Sequence, residues 1–356
     1  MTQRERIAAV FSREQPDRTP ILGGWIACPD HICSLAGIDL DTYWRDPEEH
    51  SIRAYHELGV DGLLGIFVPK NRGDFRNVDA ETFFSAGSDM TLERALQFVE
   101  DMPEPDSIMN SFDLESAYQV FAEELRRRQV QCGDLVWLPA QWGIAAKATW
   151  YDELGYENYF IIVGSYPQHA KKLMEVGGAR GYCNSLVLGR AVSEGIYPRA
   201  VLFGEDICTQ RGPMVSPDFL RSSYAPLLER GLRPLLDSGC NPIWHSDGDI
   251  REIMDLLIDC GVQGFQGFQP ECGMRIEEIV QHRTREGQGL IIFGPLSVTG
   301  ELPLMTPKEV RTRVHEVIDI CLGSAHLALF TANTVNPDVP LENIIAMYEA
   351  VREPHA

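Results

Sequence analysis

Short apolar segments bounded by Gly, Pro, Asn or Asp recur along the whole chain, and each has the length of a buried β-strand. Helical patterns lie between them. In the clearest of these, Ile250, Met254 and Leu257 fall on one face and Gly261 ends the helix. Thr306 is a typical N-cap for a later helix. The eight predicted strands cover residues 20–25, 61–68, 135–142, 200–207, 241–248, 262–268, 290–297 and 327–333.

Continuous apolar strands that alternate with helices are typical of a parallel sheet covered on both faces. Eight such units favour an α/β fold of the (β/α)8 TIM-barrel type over an open doubly wound sheet, because no GxGxxG loop follows an early strand. We therefore predict a single domain over residues 1–356 with a helical N-terminal extension over 1–18. Long inserts are expected after strands two and three, over residues 69–134 and 144–199.

Charge and composition narrow the classes of partner. The chain has 52 acidic and 31 basic residues, a net charge of -21 and no basic run, which argues against nucleic acid and anionic membranes. No apolar run approaches the roughly 20 residues that span a bilayer, and the polar opening does not resemble a signal peptide. Nine cysteines without a CxxC pair are typical of reduced thiols, so we predict a cytoplasmic protein. The oligomeric state stays open, with a homodimer as one option.

Polar side chains follow the predicted strands at the end where barrel enzymes build their active sites. Burying such groups is costly unless they are satisfied, so their convergence at one rim predicts a site. Trp25 and Trp142 lie near strand ends, where they could line an apolar pocket or simply fill the barrel. The polar residues at the rim are Lys70, Gln141, Glu205, Asp206, His245, Asp247, Gln266, Gln269, Ser297 and Asn333.

His245 and Asp247 are the most specific pair, because residues i and i+2 of a strand point to the same face. Glu205 and Asp206 follow the neighbouring strand, and one of these two carboxylates should face the same way. A His with two carboxylates could hold Zn²⁺ or could act as an acid/base unit. An ordinary buried His that bonds a neighbouring carboxylate is the third interpretation.

Four segments, in order, resemble the uroporphyrinogen decarboxylase superfamily: RERIAAVFSREQPDRTP, VLFGEDICTQRGPMVSPDFL, IWHSDGDI and NPDVPLENIIAMYEAVRE. Within it, the chain is most similar to the corrinoid-linked methyltransferases, such as methylcobamide:coenzyme M methyltransferase. The resemblance covers essentially the whole chain and implies a (β/α)8 barrel. It leaves two reactions open, decarboxylation and methyl transfer.

In the decarboxylases of this family, an arginine-bearing RQAGR-type motif follows the first strand and binds a substrate with eight carboxylates. The corresponding stretch here is GGWIACPDH, which contains no Arg. Arg is the side chain best suited to bidentate binding of carboxylates, so its absence argues against a polycarboxylate substrate.

The methyltransferase branch implies a zinc site of the form HxC with a distant Cys before a PLEN-like segment. The corresponding positions here are His245, Asp247 and Asn333, so oxygen groups replace both thiolates. Oxygen donors favour weaker metal binding or a harder ion than zinc. Glu205 or Asp206 could complete the site, and Cys208 or Cys272 is a further candidate.

These observations predict a corrinoid-dependent methyltransferase that moves a methyl group between a small O-, N- or S-methylated compound and a corrinoid carried by a partner protein. The alternatives are a decarboxylase acting on a smaller carboxylated substrate, or a non-catalytic corrinoid- or ligand-binding protein. The predicted catalytic residues are His245, Asp247, Glu205 and Asp206, and the predicted ligands of a Zn²⁺ ion are His245, Asp247 and Glu205. The predicted substrate-binding residues are Trp25, Lys70, Gln141, Trp142, Gln269 and Asn333.

Overall fold

Each predicted strand overlaps a short parallel β-strand in the computed structural model, which describes residues 1–70, 72 and 90–353. The strands are shorter than the apolar segments that predict them, because the flanking residues turn into loops. Within the described residues the parallel strands are β1 (Leu22–Gly23), β2 (Gly62–Leu63), β3 (Val136–Trp137), β4 (Ala200–Gly204), β5 (Asn241–His245), β6 (Gly264–Gln266), β7 (Ile291–Leu296) and β8 (His326–Thr331).

The strands form two parallel sheets, in the orders β1-β2-β3 and β8-β7-β6-β5-β4. An isolated parallel bridge between Ile21 and Leu329 joins β1 to β8. After β3, the backbone N–H of Gln141 donates to the carbonyl of Leu202 in β4 at 2.8 Å. The architecture is therefore mixed α/β with parallel sheets, and strands that are consecutive in the chain are neighbours in space.

Helices fill the connections between strands, including both long predicted inserts. Residues 71 and 73–89 of the first insert lie outside the described residues. The helices are Gln3–Phe11, Pro29–Ala36, Leu40–Tyr43, Pro47–Leu58, Leu92–Glu100, Pro105–Ser111, Leu114–Cys132, Tyr151–Leu154, Tyr156–Ser165, Pro167–Ser193, Pro217–Phe219, Ala225–Asp237, Met254–Cys260, Ile276–Ile279, Pro307–Cys321 and Leu341–Ala350. A π-helical turn, Leu220–Tyr224, and a 3₁₀ turn, Pro270–Cys272, complete the set among these residues. In the described part of the chain, no helix combines the length and apolar character needed to cross a bilayer.

Local sequence explains where two of these helices start and end. Thr306 caps its helix as predicted, because its side chain accepts the backbone N–H of Glu309. The Glu309 side chain in turn accepts the backbone N–H of Thr306, which completes a capping box. The helix predicted from Ile250 begins instead at Met254, although Gly261 ends it in the left-handed conformation as expected. The reason is local: the Asp249 side chain accepts the backbone N–H of residue 251, and residues 251–253 form a turn.

The N-terminal extension packs against the N-terminal ends of the strands through its arginines. Asp61, which precedes β2, is fully buried and accepts bonds from Arg6 at 2.6 Å and from Arg18 at 2.8 and 3.0 Å. The same carboxylate accepts the backbone N–H of Ile21 at 2.7 Å. This ion network ties the extension to β1 and β2.

A third arginine of the extension reaches the neighbouring strands. Arg13 donates to the side-chain oxygens of Asn241 and Gln263, both at 2.7 Å, and to the carbonyl of Gly289 at 3.2 Å. These acceptors stand at the start of β5, β6 and β7, so one guanidinium connects three strands. The N-terminal end of the sheets is thereby closed by polar groups that satisfy one another.

Candidate functional site

Three potential metal ligands converge at the opposite end of the strands. His245 is the last residue of β5, Asp247 follows in the next loop and Asp206 follows β4. Their ligand atoms lie within 4.8 Å of one another, and His245 Nε2 is 3.6 Å from Asp206 Oδ1. The backbone N–H of Asp247 also donates to Asp206 Oδ1 at 2.9 Å. The register that pairs Gly204 with His245 brings the two loops together.

Asp247 contains the clearest sign of an unmet bonding requirement. Its Oδ2 accepts the amide of Asn333 at 2.6 Å. Its Oδ1 is buried and has no hydrogen-bond partner among the described residues. Burial raises the pKa of Asp247, and the charge of Asp206 acts in the same direction, whereas His245 and Asn333 favour the ionised form. Leaving such an oxygen unsatisfied costs about 1–3 kcal/mol, and a bound ion or substrate would remove that cost.

The imidazole of His245 is enclosed and held from one side. The residue is only 7% exposed, and its Nδ1 pairs with the side-chain oxygen of Gln266. The register between β5 and β6 places these two residues side by side. Its other ring nitrogen, Nε2, is the atom that faces Asp206.

Aromatic rings surround the same imidazole. The ring of Trp25 lies 6.0 Å from that of His245 in an edge-to-face arrangement, and the ring of Trp142 lies 5.4 Å away. The two indoles are 6.2 Å apart, and Phe330 packs 5.0 Å from Trp25. Trp142 is 51% exposed, so it forms part of the rim rather than the core. Both predicted tryptophans are therefore brought to the metal-ligand cluster.

Glu205 lies outside this cluster, although the sequence pattern predicts it as a ligand. Its buried carboxylate accepts the backbone N–H groups of Ala148 and Thr149 at 2.7 Å and the hydroxyl of Tyr224 at 3.2 Å. Burial raises its pKa, and the bonds from Thr149 and Ala148 oppose that rise. Neighbouring residues of an extended chain point in opposite directions, so Asp206 takes the position in the cluster and Glu205 anchors the loop after β3.

The predicted cysteine ligands are also placed elsewhere. Neither Cys208 nor Cys272 contributes an atom to the converging group. Both thiols are buried, and burial raises the pKa of Cys208 to about 12 and that of Cys272 above its ordinary value. Among the described residues, the potential ligand atoms that converge at this site are therefore oxygen and nitrogen atoms.

The remaining predicted substrate-binding residues make bonds within the chain or face solvent. The Gln269 side-chain oxygen accepts the N–H of Gly248 and so holds the loop that carries Asp247. Gln141 donates to the carbonyl of Pro139, and the Asn333 amide donates to Asp247. Lys70 is exposed. Gln269 and Asn333 thus support the cluster directly.

Sequence patterns do not reveal the part that Gln266 and Gly267 play. Gln266 is one of several polar groups at the strand ends, yet it is the residue that bonds His245. Gly267 has a φ of +96°, and a Cβ there would lie 3.0 Å from His245 Nδ1 and 2.9 Å from the carbonyl of Ser246. A polar residue followed by a Gly directly after a buried strand is the signal that could have marked this position.

Comparisons with known proteins give structural similarities but no match in sequence. No family model matches the chain, and no curated protein sequence matches it. Among solved structures, it is similar to a methyltransferase from Methanosarcina mazei, with 16% sequence identity and a TM-score of 0.64 over 99% of this chain and 98% of that chain. The chain therefore shares the fold of that methyltransferase over its whole length, and membership of the uroporphyrinogen decarboxylase superfamily stays a prediction.

Proposed function

We propose that this protein is a methyltransferase that moves a methyl group between a small O-, N- or S-methylated compound and a corrinoid carried by a partner protein. The observation that carries the proposal is the cluster of Asp206, His245 and Asp247 at the end of the strands where barrel enzymes build their sites. The fold similarity to a methyltransferase supports it. We further propose that the parallel strands form a (β/α)8 barrel, which the bridge between β1 and β8 supports.

The donor set fits a divalent metal ion. Three protein ligands that leave further positions open are typical of catalytic zinc sites. The buried Oδ1 of Asp247, which no described residue bonds, is the atom such an ion would satisfy. Asp206, His245 and Asp247 would hold the ion, and two carboxylates with one imidazole suit Zn²⁺ or a harder cation. When bound, the metal would supply a Lewis acid that polarises the heteroatom carrying the methyl group.

The other side chains of the site prepare it for substrate. Trp25 and Trp142 cover His245 and exclude water from one side, which strengthens electrostatic interactions there. Asn333 holds one oxygen of Asp247 and leaves the other directed inward. Asp206, with 52% of its side chain exposed, and Trp142 stand at the mouth. A methyl acceptor bound to a second protein could approach from this side.

The test combines metal content with methyl transfer. Purified protein would be stripped with a chelator and titrated with Zn²⁺, Co²⁺ or Mn²⁺. Transfer to a reduced cobamide, free or on a corrinoid protein, would then be followed for a panel of methyl donors. We expect one equivalent of metal in the wild type, and loss of both metal and transfer in His245→Ala. Cys272→Ser is the matched control near the site and should keep both.

Three results would contradict the proposal or its ligand set. Equal rates of methyl transfer by wild type and His245→Ala, for every active methyl donor, would contradict the assignment of the site to His245. Metal-free turnover of uroporphyrinogen or of a simpler pyrrole carboxylate, with no active methyl donor, would favour the decarboxylase instead. Loss of metal in Cys272→Ser would show that a thiolate belongs to the ligand set.

A further inference from the structure

Gln266 is a fully buried polar side chain next to the site. It ends β6, is 1% exposed and uses both ends of its amide. Its Nε2 donates to the carbonyls of Thr331 and Ala332 at 3.0 and 2.8 Å. Its Oε1 faces Nδ1 of His245. Strands β5, β6 and β8 therefore contribute to one continuous chain of hydrogen bonds.

The two carbonyls determine which way the Gln266 amide points. Carbonyl oxygens only accept hydrogen bonds, so the group that faces Thr331 and Ala332 must be the NH₂. The reverse orientation would place the amide oxygen about 3 Å from both carbonyl oxygens without a proton between them. The side-chain oxygen is thus directed at His245 by the backbone of β8.

An oxygen facing Nδ1 determines the protonation pattern of the imidazole. A neutral imidazole carries one proton, and only a protonated Nδ1 can donate to the Gln266 oxygen. The lone pair then lies on Nε2, which faces Asp206 at 3.6 Å. Without Gln266 the preference would reverse, because a proton on Nε2 could be attracted by the Asp206 carboxylate.

We propose that Gln266 is a positioning residue that fixes neutral His245 with its proton on Nδ1 and its lone pair on Nε2, directed into the Asp206–Asp247 cluster. Gly267 provides the space for this arrangement, since a Cβ at that position would lie 3.0 Å from Nδ1. A ring nitrogen that faces metal ligands can bind a cation only through its lone pair. The part of the inference that concerns metal rests on the proposed function, whereas the protonation pattern does not.

The first experiment is a nitrogen NMR measurement on metal-free wild-type protein labelled at histidine. Spectra would be recorded at increasing alkaline pH until the signals no longer change, so that the singly protonated ring is the form observed. Comparison with His245→Ala assigns the signals of His245. We expect a protonated Nδ1 and an unprotonated Nε2. A proton on Nε2, or an even mixture of the two forms, would overturn the proposal without any Gln266 variant being made.

Two variants sharpen this result. Gln266→Leu removes the acceptor and should move the proton to Nε2. Gln266→Glu keeps a side-chain oxygen that can accept from Nδ1, so it should preserve the wild-type pattern. Gln263→Leu is the matched control, because Gln263 is also buried and lies three residues earlier, but bonds Arg13 at the opposite end. An unchanged pattern in Gln266→Leu, or an altered one in Gln263→Leu, would contradict the proposal.

Metal affinity gives the second readout. Removing the group that orients a ligating His typically lowers metal affinity by about 10- to 100-fold. We expect that loss for Zn²⁺ in Gln266→Leu, with Gln263→Leu unchanged and Gln266→Glu close to wild type. If wild type binds no metal but shows the expected protonation pattern, the proposed function fails and the role of Gln266 stands. Metal binding with equal affinity in wild type and Gln266→Leu contradicts the role of Gln266 in metal binding.

Discussion

The two ends of the parallel strands are built on opposite principles. At the N-terminal end, Arg6 and Arg18 bond Asp61, and Arg13 bonds acceptors on three strands. The Asp61 carboxylate and the three guanidinium groups are thus all hydrogen-bonded within the chain. At the C-terminal end, the carboxylates of Asp206 and Asp247 lie beside His245, and a buried oxygen of Asp247 has no hydrogen-bond partner among the described residues.

The difference separates a structural network from a binding site. A network whose charges are mutually satisfied stabilises the fold and offers nothing to a ligand. A cluster of metal ligands that contains an unsatisfied buried oxygen lowers the stability of the unliganded protein, and binding of an ion or substrate offsets that loss. A mutation should therefore affect chiefly stability at one end and chiefly binding at the other.

The largest expected effect is at the N-terminal end. Asp61→Ala would leave the guanidinium groups of Arg6 and Arg18 without their buried partner, and breaking such an interaction typically costs about 3–5 kcal/mol. Urea unfolding should show a drop of that order, while metal binding per folded molecule stays at the wild-type level. A loss of metal affinity in the folded variant would show that the two ends are coupled.

Asp247→Asn should produce the reverse pattern. It removes a ligand and a charge that burial disfavours, so metal affinity and methyl transfer should fall by at least about 100-fold. In chelator-treated protein, however, the variant should be at least as stable as the wild type, since a neutral amide replaces a buried carboxylate. Thermal unfolding with and without metal tests both statements. A less stable metal-free variant would mean that the Asp247 carboxylate serves the fold.

The smallest expected effect is a pH dependence at the N-terminal end. Burial lowers the pKa of His326, at the start of β8, and the nearby charge of Arg13 acts in the same direction. The folded protein therefore binds fewer protons there than the unfolded chain. This contribution to stability is complete above the ordinary imidazole pKa of about 6.5 and is lost as the pH falls below it.

His326→Gln should remove this part of the pH dependence, which we expect to be smaller than about 1 kcal/mol. Unfolding free energies of the two proteins, compared across the range from about pH 5 to 8, measure it. If the unfolding free energy changes with pH by the same amount in wild type and variant, then burial and Arg13 do not disfavour protonation of His326.

Much of the fold follows from local pattern. The apolar segments predicted each parallel strand, because burial on both faces demands continuous hydrophobic sequence. Thr306 and Gly261 marked helix ends through interactions with their own neighbours. The pattern missed the turn before Met254, where the Asp249 side chain accepts the backbone N–H of Arg251 and a turn replaces the first helical turn.

The candidate site was predictable only in part. The spacing of His245 and Asp247 indicated a shared direction, and the structure brings them together. The same reasoning could not decide between Glu205 and Asp206. The decision depends on the loop after β3, whose Ala148 and Thr149 N–H groups bond Glu205 and leave Asp206 to the cluster.

By itself, the amino-acid sequence determined the alternation of strands and helices, the acidic surface and the set of polar residues available at the strand ends. These properties arise from burial and from contacts between residues close in the chain. Only the tertiary structure decided which of those residues meet, which oxygen of Asp247 is left without a partner among the described residues and which nitrogen of His245 faces the cluster. Those outcomes depend on Gln266, Asn333 and Thr149, whose contacts join segments far apart in the sequence, so no local pattern contains them.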